Sequence, residues 1–482
     1  MTLKIAPPLT GTKKYSRSFL TIILAFILSR IVYHYYFGIR FDATPINWYW
    51  QYIDPYLLKT DLLRSVYYLH SQPPLFNIFL GVILKLFPNN YALVFQLIYL
   101  ALGPALAASL FFIMVKLRVP DKLSAILAII FIINPSVILY ENLLFYEYPI
   151  VTILALSVVF LIEFLANGRF RDAVIFFALL AILVLMRNIY SMYYFLLVLL
   201  VLILILYKKY AWKKILLAGL VPFLIIFTVA AKYFFLYHSF TMGTIFFEQN
   251  FNQAAVSSIS HMELQVLTDY GDISPLSKIG HFRPLSKYKQ YVNIPATGIP
   301  ILDSKYKLKG SINIHNLAYV DISKKLLKDA LYIMGHYPKK FFKNIMRRFA
   351  KNYFLLASDI FWDNYYNPMK IESVSRVFNR IIYLQLSIGR PSLFLVVSCP
   401  VLILYAFYLV FKMAFNKTDE LVTGPTAAIM LINILMVSAA ALLLPFEHSR
   451  FRFEVDPFYL VLLGLLIRDA YRKIWDKFQK NS

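Results

Sequence analysis

Few side chains near the apolar segments of this chain could do chemistry, because only 25 of its 482 residues are aspartate or glutamate. A carboxylate beside a membrane is costly unless it is paired or used, and a used carboxylate can bind a ligand or accept a proton. Asp42 follows the first long apolar segment, and Asp54 follows the aromatic-rich stretch after it. His70 then precedes two consecutive prolines, Pro73 and Pro74, which fix where the next helix begins.

The composition decides what kind of protein must position these residues. Hydrophobic residues make up 60% of the chain, charged residues 15%, and the mean hydropathy is +0.63. Soluble domains carry about 25% charged residues, so a water-soluble enzyme, a disordered chain and a fibrous repeat are excluded. The net charge of +24 is typical of cytoplasmic loops rather than of nucleic-acid binding. The single cysteine, Cys399, excludes an intrachain disulfide and a cysteine-based metal cluster.

Ten apolar segments are long enough, or nearly so, to cross a bilayer as helices of roughly 20 residues. They are residues 17–38, 91–115, 122–140, 147–165, 171–187, 190–207, 213–236, 392–413, 421–444 and 455–470. The segment 74–87 is shorter and contains Asn77 and Lys85, so it either crosses the membrane or lies flat on its surface.

Charge counting favours the flat orientation of 74–87. With a cytoplasmic N-terminus and 74–87 flat, the short loops place 20 lysines and arginines inside and 7 outside. If 74–87 crosses, the count becomes 7 inside and 19 outside, against the positive-inside rule. The sequence therefore predicts an all-α polytopic membrane protein of about ten transmembrane helices, with juxtamembrane helices in the first outer loop, residues 39–90.

Three parts follow along the chain. They are an N-terminal transmembrane module (1–237), an extracytoplasmic segment (238–391), and C-terminal transmembrane helices with a basic cytoplasmic tail (392–482). The middle part is expected to be mostly helical, although residues 238–312 look rich in loops. A helix is expected over 315–333, followed by a basic amphipathic helix over 338–356. That basic helix either lies on anionic lipid or brings a cation to a lipid-linked phosphate.

The order of three motifs resembles the membrane glycosyltransferases of the GT-C fold, which include protein O-mannosyltransferases and the lipid A aminoarabinose transferase. The motifs are Phe41-Asp42 with the His70–Leu75 string, the Glu147 region after Asn134-Pro135 with Glu141 nearby, and the arginine-rich turn 447–457. The chain departs from the family pattern at Ala43, where a glutamate is usual, and in the two residues that separate His70 from Pro73.

The resemblance implies an inverting glycosyltransferase with a GT-C-like bundle. Such an enzyme moves a sugar from a polyprenyl-phosphate donor to an acceptor on the extracytoplasmic face, so a base must take the acceptor proton and cations must hold the phosphate. Asp42 is the expected base, although a helix-capping role is the alternative reading. Asp54 is the second choice, and its Asp-Pro context also suits a turn.

The remaining candidates are expected to bind substrate. Glu147 would orient the acceptor or bind the sugar, or else pair at a helix end, and Glu141 lies nearby. Arg187 would hold the carrier phosphate or extend to the membrane surface. Further candidates, each with a structural alternative, are His70, His448, Arg450 and Arg452. The two arginines of the turn would otherwise pair with Glu447 and Glu454, and a capping or turn role is open for the histidines.

Partners and location complete the expectation. The donor is a polyprenyl-phosphate sugar, the acceptor is a glycan, lipid or protein, and the membrane is a prokaryotic plasma membrane. No cofactor is expected; a divalent cation shared by Asp42 and Glu147 stays open, but no metal-ligand spacing indicates one. The alternatives are a flippase or transporter of a lipid-linked glycan, and a polysaccharide polymerase or ligase. Inside the spans, Arg30 and Lys232 should face neighbouring helices or reach an interface, while His261, His281 and His315 should lie on the surface.

Overall fold

The computed structural model describes residues 12–207, 211–359, 369–415, 422–443 and 447–481. The structure is 74% helical, and no strand forms within the described ranges. Extended backbone pairs there only in two isolated bridges, one of which joins Asp42 to Leu143. The expected all-α class and the multi-pass membrane character are confirmed, because several of the helices are long and apolar.

The helices range from four-residue turns to 26-residue spans. In chain order they are Thr12–Ile31, the π-helical turn Val32–Tyr36, Pro45–Trp48, Pro55–Thr60, Leu62–Tyr67, Leu75–Leu86, Tyr91–Lys116, Asp121–Ile132, Pro135–Glu141, Glu147–Asn167, Phe170–Met186, Met192–Leu206, Trp212–Tyr237, Phe246–Val256, His261–Asp269, Leu276–Ile279, Leu285–Tyr288, Pro300–Asp303, Ala318–His336, Pro338–Asn352, Met369–Ile382, Leu393–Phe415, Thr423–Leu443, His448–Phe453 and Asp456–Asn481. Six helical segments are long and apolar enough to cross a membrane: Tyr15–Tyr36, Tyr91–Lys116, Glu147–Asn167, Trp212–Tyr237, Leu393–Phe415 and Thr423–Leu443.

The expected count of about ten spans is therefore not confirmed. The segment expected over 122–140 is broken, because Asp121–Ile132 and Pro135–Glu141 meet at a bend of 59°. Pro135 cannot continue the first helix, and the Asn134 side chain caps the second by accepting a hydrogen bond from a backbone N–H at 2.9 Å. Counting this bent pair as one span raises the number to seven.

The other three expected spans are helical, but each is either too short or too rich in charges to count as a candidate span. Phe170–Met186 and Met192–Leu206 have 17 and 15 residues, and Asp456–Asn481 is long but carries many charges. The helix Leu75–Leu86 begins directly after Pro74, as the paired prolines predict. Its 12 residues cover only about 18 Å, against a hydrocarbon core of about 30 Å. This length favours the flat orientation, which stays a prediction.

The helix Glu147–Asn167 forms the centre of the bundle. It packs between Tyr91–Lys116 and Phe170–Met186. Of its apolar 18-residue stretch, 61% is buried, the largest share among the six candidate spans. Gly168 ends it in the left-handed conformation with φ +65°, which glycine adopts without strain. Glu147 therefore enters the protein interior at the other end of this helix, where its side chain is fully buried.

The segment expected to be rich in loops, residues 238–312, is confirmed as such, because more than half of its residues lie outside helices. It also contains two helices that the sequence did not predict, Phe246–Val256 and His261–Asp269, and the second begins with a capping box formed by Ser260 and Glu263. The two following helices are confirmed, as Ala318–His336 and Pro338–Asn352.

Replacing Gly103 by alanine is expected to lower the free energy of unfolding by about 1–3 kcal/mol. A methyl group at Gly103 would overlap the ring of Phe26 and approach Oε2 of Glu141 to 2.9 Å. Gly335→Ala is the control, because no atom lies within 4 Å of its added Cβ. Thermal unfolding in detergent should show a loss for Gly103→Ala alone; equal midpoints for both variants would contradict the packing described here.

Candidate active site

The chain after the first span pairs with the chain that leads into the central helix. The Asp42 N–H donates to the Asn142 carbonyl at 2.8 Å, and the Leu144 N–H donates to the Asp42 carbonyl at 3.0 Å. This pairing holds Asp42 beside residues 142–144, which lie just before the first turn of Glu147–Asn167. Two of the three motifs are thus joined through backbone hydrogen bonds.

Two buried tyrosines continue this junction. Tyr49, just after the helix Pro45–Trp48, places its hydroxyl 3.2 Å from the hydroxyl of Tyr146. Tyr146 also donates a short hydrogen bond to Oε1 of Gln51. The Tyr49 hydroxyl in turn accepts a hydrogen bond from Nη2 of Arg450 at 2.5 Å, which brings in the C-terminal turn.

At this junction lies an arginine–glutamate cluster, which we define as Glu147, Arg187, Arg450 and Glu454. Each of the four side chains is at most 3% exposed. Arg450 donates from Nε to Oε1 of Glu147 at 2.6 Å. Arg187 lies 3.5 Å from the same Glu147 oxygen and forms a shorter ion pair with Glu454. The cluster therefore shares charge between helix ends that are far apart in the sequence.

Further contacts fix the two arginines of the cluster. Arg450 also donates from Nη1 to Glu447 at 2.8 Å, so three of its N–H edges are occupied. The Arg187 guanidinium lies 4.9 Å from the ring centre of Tyr146 and 4.5 Å from that of Phe451. Such contacts hold a guanidinium in place without using its N–H groups. Both ion pairs of Arg187, with Glu147 and with Glu454, are made by its Nη1.

Glu147 keeps one carboxylate oxygen unused. Both arginines approach Oε1, whereas Oε2 is buried without a hydrogen-bond partner among the described residues. Buried polar atoms are nearly always satisfied, and leaving one unpaired costs about 1–3 kcal/mol. An unpaired carboxylate oxygen in a charged cluster is suited to accept a hydrogen bond from a hydroxyl of a ligand.

The paired-proline segment reaches the same place. A small opening of about 10 Å³ is lined by Gln72 and Pro73 on one side and by Tyr146 and Met186 on others. A larger hollow of about 240 Å³ lies between the first two spans, and Asn142, the backbone partner of Asp42, lines it. This volume is below the usual range of ligand pockets, about 300–1,000 Å³, so it has room for part of a ligand.

The Asp42 carboxylate is half-buried and outside the cluster. Its Oδ1 accepts a hydrogen bond from the Thr44 N–H at 2.8 Å, which tightens the turn before Pro45–Trp48. The helix-capping role that was the alternative reading is not formed, because the N-cap of this helix is Thr44. The described contacts of Asp42 include neither Arg187 nor Arg450, so its catalytic role stays a prediction.

Two other candidates, both acidic, have protein partners of their own. Asp54 caps a helix by accepting a hydrogen bond from the Tyr56 N–H at 2.8 Å. Glu141 pairs with Arg30 of the first span, whose Nε donates to its carboxylate at 2.9 Å. These contacts do not touch the cluster, and they confirm that Arg30 faces a neighbouring helix.

Two further candidates belong to the C-terminal turn. Arg452 donates to Asp456 at 2.9 Å and to the Leu355 carbonyl at 2.8 Å, so it anchors the turn on the opposite side from Arg450. His448 is fully buried and packs its ring edge-on against Phe349. Only Arg450 of the arginine pair enters the cluster.

His70 joins the first loop to the segment 238–391. Its Nδ1 lies 2.9 Å from the Thr244 hydroxyl and its Nε2 lies 2.8 Å from the His315 carbonyl. His315 was expected on the surface, and that prediction was wrong: it is fully buried, with Nδ1 2.6 Å from the Ser71 hydroxyl. Burial lowers the pKa of His70 to about 4 and that of His315 to about 3, so both rings are neutral near pH 7.

The other two histidines expected on the surface differ from each other. His261 is exposed, as expected, whereas His281 is half-buried with its Nε2 2.6 Å from Oδ1 of Asn252. Lys232, in the span Trp212–Tyr237, reaches the Leu69 carbonyl at 3.3 Å and so meets the first loop. The first loop is thus held by polar contacts from two later parts of the chain.

Lys307 is a buried cation that the sequence did not single out. It donates from Nζ to the Tyr49 carbonyl at 2.6 Å, on the same residue whose hydroxyl contacts Arg450. Burial lowers the pKa of Lys307 to about 7, although the nearby Asp54 carboxylate opposes this. Its neighbours in the sequence, Lys305 and Lys309, are exposed, so residue type alone gives no signal.

Lys307→Met is expected to change how stability depends on pH. Below pH about 7 the lysine is charged in the folded and unfolded chain alike, so the cost of burying the charge is fully present. From pH about 7 to about 10 the folded lysine is neutral and the unfolded one charged, so the stability of the native chain rises. The variant lacks this rise, and its stability relative to the native chain should fall between pH 6 and 9.

Chemical unfolding in detergent at several pH values measures this difference. Lys309→Met, two residues away and exposed, is the matched control and should follow the native chain at every pH. Curves for Lys307→Met that run parallel to those of the native chain would contradict a buried lysine with a lowered pKa.

Metal binding finds no support in the side-chain arrangement. Within the described ranges, no three side chains of His, Cys, Asp or Glu come together as a metal site requires.

Comparisons of the chain with family models, with curated proteins and with solved structures found no match.

Proposed function

We propose that the protein is an inverting glycosyltransferase that moves a sugar from a polyprenyl-phosphate donor to an acceptor hydroxyl on the extracytoplasmic face of the membrane. The observation that carries the proposal is the arginine–glutamate cluster, to which four separate parts of the chain contribute or connect. A transferase of this kind needs a base for the acceptor and cations for the phosphate at one place. Asp42 and the cluster supply both types of group beside one stretch of backbone.

Arg187 is the group best suited to the carrier phosphate. Both of its ion pairs use Nη1, whereas Arg450 donates from Nε, Nη1 and Nη2 to protein groups. As the bond to the sugar breaks, negative charge develops on the phosphate, and a fixed guanidinium in a buried site stabilises that charge. The unpaired Oε2 of Glu147 would accept a hydrogen bond from a sugar or acceptor hydroxyl.

The attack itself requires proton removal from the acceptor. In the proposed reaction the acceptor oxygen forms a bond to the anomeric carbon while the bond from that carbon to the phosphate oxygen breaks, and Asp42 takes the acceptor proton. The hollow of about 240 Å³ between the first two spans would receive a portion of the apolar chain of a membrane-bound substrate. No metal step is needed in this scheme.

The test uses the purified full chain in liposomes with a panel of polyprenyl-phosphate sugars, each labelled in the sugar. With a mixture of glycan, lipid and peptide hydroxyl acceptors added, we expect at least one donor to pass its labelled sugar to an acceptor and leave free polyprenyl phosphate, in amounts proportional to the protein. Movement of intact donors across the bilayer without cleavage would instead support the flippase alternative. Stability of every donor in the panel, with no movement, would remove support for both.

A further inference from the structure

The helix Pro338–Asn352 carries more charge than the protein uses. It contains six lysines and arginines and no acid. Two of these cations turn toward the protein: Lys340 pairs with Glu263, and Arg348 donates to the hydroxyl of Ser257. The other four recur every four residues, are exposed, and pair with no carboxylate among the described residues: Lys339, Lys343, Arg347 and Lys351. We call these four the basic row.

The buried side of the same helix locates it relative to the membrane. Phe341 and Ile345 are 1% and 2% exposed, and they share a hydrophobic cluster with Leu442 and Leu443. These two leucines are the last residues of the candidate span Thr423–Leu443. The helix therefore lies against the end of a span, at the depth where lipid headgroups begin.

Apolar side chains stand beside the basic row. Phe342 and Met346 lie four residues apart and are 55% and 54% exposed. Large apolar residues next to cations, on a helix seated at the end of a span, are the arrangement of a helix lying in the membrane interface. The cations reach phosphate groups, while the apolar side chains enter the boundary of the acyl chains.

We propose that the basic row, together with Phe342 and Met346, is a binding surface for anionic phospholipid headgroups in the adjacent leaflet. The charge complementarity is direct, because four unpaired cations meet a surface of negative phosphates. A soluble polyanion would satisfy the cations but not the two apolar side chains. This surface is separate from the arginine–glutamate cluster, and its test does not require sugar transfer.

The test places a tryptophan at the apolar edge of the surface. Phe342→Trp is made in the full chain and reconstituted in nanodiscs of phosphatidylcholine that contain a minority of brominated phosphatidylglycerol or, separately, of brominated phosphatidylcholine. Fluorescence of the parent chain is subtracted to remove the native tryptophans. We expect the anionic brominated lipid to quench the added tryptophan roughly twofold more than the neutral one, with the difference falling at high salt.

A charge variant with a matched control decides the outcome. Replacing the four residues of the basic row by glutamine should abolish the preference for the anionic lipid. Replacing four exposed lysines of the same segment by glutamine should leave it intact: Lys287, Lys289, Lys305 and Lys309. Equal quenching by both lipids, quenching by neither, or an equal loss in the two charge variants would overturn the proposal. Monodisperse elution of each variant checks the fold.

Discussion

Asp42→Asn is expected to lower sugar transfer by about two to four orders of magnitude while the amount and the folding of the protein stay unchanged. Asparagine keeps the oxygen that accepts the hydrogen bond from the Thr44 N–H, so the turn before Pro45–Trp48 survives. It cannot take a proton from the acceptor hydroxyl. Initial rates with an active donor, together with the thermal midpoint in detergent, measure the two effects separately.

Asp54→Asn is the matched control for this experiment. Asp54 lies in the same loop and also accepts backbone hydrogen bonds, from Tyr56 through Oδ1 and from Leu308 through Oδ2. Asparagine keeps the one that its single oxygen can accept. We expect its transfer rate to stay near that of the native chain. Normal transfer by Asp42→Asn would end the assignment of Asp42 as the base, and the unpaired oxygen of Glu147 would become the next candidate.

Arg187→Lys should lower kcat by roughly a hundredfold with only a modest change in stability. Lysine keeps the positive charge that neutralises Glu454 in the buried cluster, so the uncompensated charge of a neutral substitution is avoided. It loses the planar fork with which a guanidinium holds a phosphate through two N–H groups. The loss should therefore fall on the step in which the phosphate leaves.

Arg452→Lys is the control for Arg187→Lys, because it should affect stability without affecting catalysis. Arg452 is equally buried and two residues from Arg450, but it bonds Asp456 and backbone carbonyls outside the cluster. Its lysine variant should lose stability and keep kcat per folded molecule. If both variants lose activity only in proportion to their thermal midpoints, Arg187 is structural and does not contact the phosphate.

The apolar patterns of the sequence predicted the helical class and most helices but not which of them are long enough to span. Hydropathy windows average over Asn134-Pro135, where the chain bends by 59°, so a broken span reads as a continuous one. The capping box at Ser260 and Glu263 was a readable signal for a helix in the segment expected to be rich in loops. The capping box is read from four neighbouring residues. The spacing of apolar residues in the same helix, His261–Asp269, is too irregular to indicate a helix.

The candidate site was predictable in its members more than in its pairings. Glu147 and Arg450 were singled out from the motifs and Arg187 from its place at the end of the expected span 171–187, and the structure brings these three together. Reading the C-terminal turn as a helix would have separated Arg450 from Arg452, since residues two apart on a helix point about 200° apart. The pairing of Glu454 with Arg187, and the burial of Lys307 and His315, depend on loops closing over long sequence distances, which no local pattern records.

The hydrogen bond from Lys307 to the Tyr49 carbonyl has a consequence for any attempt to dissect the molecule. In an excised fragment covering 238–391, Lys307 and His315 would be exposed to water, and the pKa of each would return to its ordinary value. The remaining membrane part would lose the hydrogen bond from Lys307 to Tyr49, the residue whose hydroxyl contacts Arg450. Protease cleavage between Gly298 and Asn316 should therefore disturb the arginine–glutamate cluster, although that stretch contributes none of its four residues.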